Sequence, residues 1–166
     1  MSEPWSRPLE VDRLADGGAE VDFAVPLEKL AGLPSGVAGS VAGRARFARA
    51  RGFPMVELMV RGAATLACQR CMQPMTLAVD TEAQVALIAS EADAERVPPE
   101  LEPVLAPGGR ISIAELIKEE LLLTLPIVAL HGDGAACVAA PATSATAGRG
   151  PETHKPFAGL ADLMKR

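Results

Sequence analysis

The chain runs to 166 residues, 49% of them hydrophobic, with a formal charge of −5. That is enough for one sizeable core and too little for two, and it is the wrong sign for a protein that coats nucleic acid over its whole surface. No run of eighteen apolar residues occurs, and the start MSEPWSRPLEVDR has acids and prolines where a secretory leader needs a basic, then apolar, stretch, so a soluble cytoplasmic protein is expected.

In chain order, RPLEVDRL reads as an edge strand, and VPLEKLAGL, with Pro26 at a first helical position, as a short helix. A Gly-rich stretch follows. From Val37 to Arg49 the residues alternate, Val37, Val41, Ala45 and Phe47 against Ser40, Arg44 and Arg46, which is the period of a half-buried strand. RARGFP makes a turn. The run MVELMVRGAATLA sets Val56, Leu58, Val60, Ala64 and Leu66 on one face of a second strand, opposite Glu57, Arg61 and Thr65. After CQRCMQP, a third strand alternates Met75, Leu77, Val79, Ala83, Val85 and Leu87 with Thr76, Asp80, Glu82 and Gln84.

Residues 90–109, acidic and rich in proline, read as a long loop holding at most one short strand. SIAELIKEELLLTLP is the strongest helix signal. Ser112 and Glu115 have capping-box spacing, Ile113, Leu116, Ile117 and Leu121 mark a buried stripe, and Pro126 ends it. The fold expected is α+β: an antiparallel β-meander, open or partly closed into a barrel, packed by one long and one or two short helices. Residues 1–131 make the single domain, 132–153 a flexible linker of Ala, Gly, Thr and Pro, and 154–166 an apolar and basic tail. In that tail Phe157, Leu160, Leu163 and Met164 have helical spacing, suited to docking on the body or on a partner.

Charge is unevenly spread. Between Arg44 and Arg70 lie six arginines (Arg44, Arg46, Arg49, Arg51, Arg61, Arg70) and one acid, Glu57, so that window carries +5 and the remainder −10. Guanidinium forks suit phosphate, and a hairpin bearing them suits a structured RNA read by shape. The plainer reading is that they are ordinary strand surface. Aromatics are too few for a base-stacking platform: there is no Tyr, one Trp and four Phe.

Two of the three cysteines, Cys68 and Cys71, form the C-x-x-C of CQRCMQP. An odd cysteine count does not suit a secreted disulfide framework, and in a reducing compartment such a pair is more often a metal or redox element. Redox catalysis would need a strand meeting a helix N-terminus, and here two strands flank the pair. A structural zinc needs four ligands, for which His131 and Cys137, in HGDGAAC, can join Cys68 and Cys71 as a Cys₃His set; otherwise the thiols simply sit in a tight turn. No G-x-S-x-G, P-loop or dinucleotide glycine motif occurs, and Glu119 and Glu120 beside Lys118 read as a solvated helix face, so no active site, enzyme activity or small-molecule substrate is expected.

Three passages, CQRCMQPM, GGRISIAELIKEELLLTLPIVALH followed by Cys137, and KPFAGLADLMKR, together resemble the YceD family of large ribosomal RNA subunit accumulation proteins. The positions carrying the likeness are Cys68, Arg70, Cys71, Pro74, Glu119, Glu120, Leu122, Pro126, His131, Cys137, Pro156 and Phe157, with Lys155 where the family usually has Asn. The resemblance implies a role in synthesis, processing or stability of 23S rRNA and a partner in rRNA or a pre-50S particle. Two mechanisms are open. The arginine hairpin contacts RNA, or the acidic body and the tail residues Pro156, Phe157, Leu160 and Leu163 recruit a basic ribosomal protein or assembly factor.

Overall fold

The computed structural model describes residues 4–132 and residue 137. Its main sheet has five strands, each lying beside the next in chain order. A two-residue strand, β1 (Leu9–Glu10), leads directly into helix α1 (Val11–Asp16). β2 (Glu20–Pro26), β3 (Ala38–Ala50), β4 (Phe53–Ala67) and β5 (Pro74–Ile88) then pair antiparallel in succession. β6 (Glu102–Leu105) joins the end of β5 in parallel, and β7 (Arg110–Ile111) pairs with β1 just before helix α2 (Ile113–Thr124).

The three long strands and α2 fall where the sequence places them. β3 and β4 are joined by two residues, Arg51 and Gly52, with φ of 50° and 89°, the positive pair that a tight hairpin matching strand twist requires. One face of the sheet is apolar: Val41, Ala45 and Phe47 of β3 lie beside Val56, Leu58, Val60 and Ala64 of β4, all buried. At Gly43 the backbone is crowded, since a Cβ would stand 1.8 Å from the Met59 carbonyl oxygen and 2.9 Å from the Phe23 ring. α2 closes over the core with Ile113, Leu116, Ile117 and Leu121, while Val11 from α1 joins the same cluster.

The α+β class and the antiparallel meander stand, and three local readings need correction. Only Leu9 and Glu10 of RPLEVDRL are strand, and Val11 to Asp16 turn into helix because burying Val11 and Ala15, four apart, is a helical solution. Pro26 ends β2 instead of opening a helix; a single 3₁₀ turn, Leu27–Lys29, follows. β2 was hidden because its apolar residues Val21, Phe23 and Val25 run into that proline. Of the two forms expected for the meander the open one is found: β6 adds to it in parallel, and the edge strands β2 and β6 do not meet. Among the described residues no helix is long and apolar enough to cross a membrane.

Candidate metal centre and charged surface

The loop between β4 and β5 is a tight knuckle. Cys68 N–H donates to the Gln73 carbonyl (2.9 Å) and Met72 N–H to the Cys68 carbonyl (2.8 Å), with Met72 in the left-handed region at φ 60°. After α2, Pro126 releases the chain to run back to this loop, where Gln69 N–H donates to the Ala129 carbonyl at 2.8 Å. That return places His131 and Cys137 against the two knuckle thiols. One donor atom from each of Cys68, Cys71, His131 and Cys137 lies within 4.8 Å of all the others.

Three of the six edges of this cluster match those of a metal tetrahedron. Bonds of about 2.3 Å to sulfur and about 2.0–2.1 Å to nitrogen, at tetrahedral angles, require S···S of about 3.8 Å and S···N of about 3.6 Å. Cys68 Sγ and Cys137 Sγ are 3.7 Å apart, and His131 Nδ1 lies 3.5 Å from Cys71 Sγ and 3.4 Å from Cys137 Sγ. The other ring nitrogen, Nε2, is 3.3 Å from the Pro74 carbonyl. A proton held there for that carbonyl leaves Nδ1 unprotonated and aimed at the thiols, the outer contact that orients a ligating histidine. Burial pushes the Cys68 thiol up, but the N–H groups of Cys71, His131 and Arg70 and the Cys137 thiol favour its anion and bring it down to about 5. Burial and the two neighbouring sulfurs raise Cys137. A cation at the centre would relieve that repulsion and hold the thiols as thiolates. The donor set therefore fits a structural metal, and three soft sulfurs with one imidazole in a tetrahedron suit zinc.

The arginines are arranged differently from a bare cationic patch. On the polar face of the sheet, Arg44 bonds Asp22 (2.7 Å) and Glu20 (3.1 Å), and Arg46 bonds Glu20 (2.9 Å) and reaches Glu57 (3.5 Å). Arg61 bonds Asp80 at 3.0 Å and approaches Glu82 at 3.9 Å. Cross-strand register makes these rows: Glu20, Arg46 and Glu57 stand side by side, as do Asp22 and Arg44, and Arg61 and Asp80. Near the hairpin turn, Arg49 is gripped by Asp12 and Asp16 of α1, and Arg51 pairs with Glu100 at 2.9 Å. The bond to Arg49 holds Asp16 below its usual range. Arg70, at the knuckle tip, has no carboxylate partner among the described residues.

Five of the six candidate RNA-binding arginines thus sit among carboxylates. Sequence reading missed Glu20 and Asp22 because their strand was missed; the signal was there in EVDF, with two acids at period two. Next to this face, an open cleft has Glu57, Glu82, Glu100, Glu102 and Glu120 as its acids against Arg46. Burial, then repulsion from Glu102, raises Glu120. The tail residues Pro156, Phe157, Leu160 and Leu163, and the 132–153 linker apart from Gly132 and Cys137, lie outside the described residues.

No solved structure matches the chain. Residues 56–164 match the model of the family described as large ribosomal RNA subunit accumulation protein YceD. With the match reaching from β4 through all four metal-ligand positions to the C-terminal segment, the chain belongs to the YceD family, whose description implies a role in accumulation of the large-subunit rRNA.

Proposed function

We propose that the chain supports 23S rRNA as a non-catalytic, cytoplasmic assembly factor, and that it does so by holding a basic protein, a ribosomal protein or another assembly factor, on its acidic surface. The observation that carries this reading is the sign of the sheet's polar face. Three arginines, Arg44, Arg46 and Arg61, are set among five carboxylates, Glu20, Asp22, Glu57, Asp80 and Glu82. Exposed ion pairs contribute little stability, about 0–1 kcal/mol each. Their larger effect is on the outer field, which they turn away from phosphate and towards cations. Zinc in the Cys₃His cluster is structural on this reading: it supplies charge neutralisation for the thiolates, while the chain's own residues fix the knuckle.

A second reading, direct contact with rRNA, draws support from Arg70, which stands at the knuckle tip without a carboxylate partner among the described residues. One experiment separates the two by sign. The triple variant Glu57→Gln, Glu82→Gln, Glu100→Gln removes three anions, leaves Arg46 with Glu20 as its carboxylate partner, and takes Glu100 away from Arg51. Co-sedimentation with pre-50S particles at fixed salt should fall at least tenfold if a basic protein is held there. If phosphate is the target, association should strengthen, because cations have been unmasked.

A further inference from the structure

Helix α2 uses only one of three consecutive leucines for the core. Leu121 is fully buried, whereas Leu122 and Leu123 are 42% and 72% exposed. With Pro103, Val104 and Leu105 of β6 and Ile111 of β7 they form the apolar part of a groove of about 440 Å³. Leu105 is itself 44% exposed. The acids at the rim are Glu102, Glu115 and Glu119, with Lys118 the one base among the lining residues. Lys118 is engaged by Glu119 at 2.9 Å. The capping contacts with Ser112 hold Glu115 below its usual range, so it stays anionic at neutral pH. An apolar floor with an anionic rim asks for an amphipathic segment carrying cations.

We infer that this groove is the docking site of the chain's own residues 154–166. Their sequence, HKPFAGLADLMKR, has Phe157, Leu160, Leu163 and Met164 at helical spacing, with Lys155, Lys165 and Arg166 against a single acid, Asp162. Reach is sufficient. Seven Cα-to-Cα steps lead from Thr124, the end of α2, to His131, a span of at most about 25 Å. Cys137 Sγ lies 3.4 Å from the His131 ring. The sixteen residues 138–153 extend to about 53–58 Å, which covers the return to the groove. Covalent attachment raises the local concentration of the segment, so contacts too weak to capture a free peptide suffice. The inference is independent of which partner the acidic sheet face holds.

The test uses the full chain with methyl-labelled leucines. Nuclear Overhauser contacts from the Phe157 ring to the methyl groups of Leu105, Leu122 or Leu123 are expected, unchanged on tenfold dilution, and lost in Leu123→Glu and in Phe157→Glu. Leu123 falls outside the core cluster, so retained Leu58 and Leu121 methyl shifts will show that the fold is intact. Contacts that appear only between differently labelled chains would assign the groove to a second copy and overturn the inference. So would the absence of these contacts together with unshifted Leu105, Leu122 and Leu123 methyls in Phe157→Glu.

Discussion

Met72 holds a φ of 60° while its side chain is 72% exposed, so the knuckle demands a left-handed residue and gains little from the methionine itself. L side chains pay about 1–2 kcal/mol in that conformation and glycine does not. Met72→Gly should therefore tighten zinc binding several-fold, and Met72→Val, whose β-branch crowds the same backbone, should weaken it by at least as much; competition with a chromophoric chelator measures both. Cys71→Ser removes one of four ligands, and zinc per chain, read by elemental analysis, should fall from one equivalent to a small fraction. The meeting of Cys68, Cys71, His131 and Cys137 was legible in the sequence because outside the tail the chain has only three cysteines and one histidine from which to choose. The Pro74 carbonyl that orients His131 was not: a backbone oxygen carries no residue-type signal, and only the return of the chain from α2 brings it within 3.3 Å.

At the scale of elements, α2 was readable because independent signals agreed. Ser112 accepts from Glu115 N–H at 3.2 Å while Glu115 accepts from Ser112 N–H at 2.7 Å, the predicted stripe is the buried one, and Pro126 follows the last turn. Ser112→Ala should cost about 1 kcal/mol in denaturant unfolding. The Ser112 hydroxyl first, then the backbone N–H, lowers Glu115 from its ordinary 4.5. A folded pKa below the unfolded one means that its stabilisation is complete above about pH 4.5 and is lost as pH falls through the lower folded value. Glu115→Gln should be less stable than the parent at neutral pH, with the gap closing under acid. β2 and β6 lacked such agreement. Val21, Phe23 and Val25 alternate properly, yet the following proline pointed to a helix start, and the four residues of β6 are too few to show a period and pair along the edge of β5 opposite β4. That missed strand carried the acids that neutralise Arg44 and Arg46, so an error about one element became an error about the charge of a surface.

For the whole molecule the question is what a metal in the Cys₃His cluster would hold. The core cluster spans Val11 to Leu121 and includes none of the four ligands, so the sheet and α2 are packed by residues the metal does not touch. The ligands instead join two distant stretches, the β4–β5 loop and the segment beyond α2, whose direct backbone tie is Gln69 N–H to the Ala129 carbonyl. Small metal domains that lack a core unfold outright without their ion; a chain with a separate core should open only locally. Chelation of the purified protein should release one equivalent of zinc and leave the β-sheet circular dichroism and the slow exchange of Val56, Leu58 and Val60 amides in place. Exchange at the Gln69 amide should accelerate at least tenfold. Global loss of protection would mean that the core depends on the clamp, because removing the ion would have unfolded strands it never contacts. Unchanged Gln69 exchange in protein that never held metal would reduce the cluster to four side chains in a turn, since nothing else in the structure requires three thiols and an imidazole to meet at tetrahedral spacing.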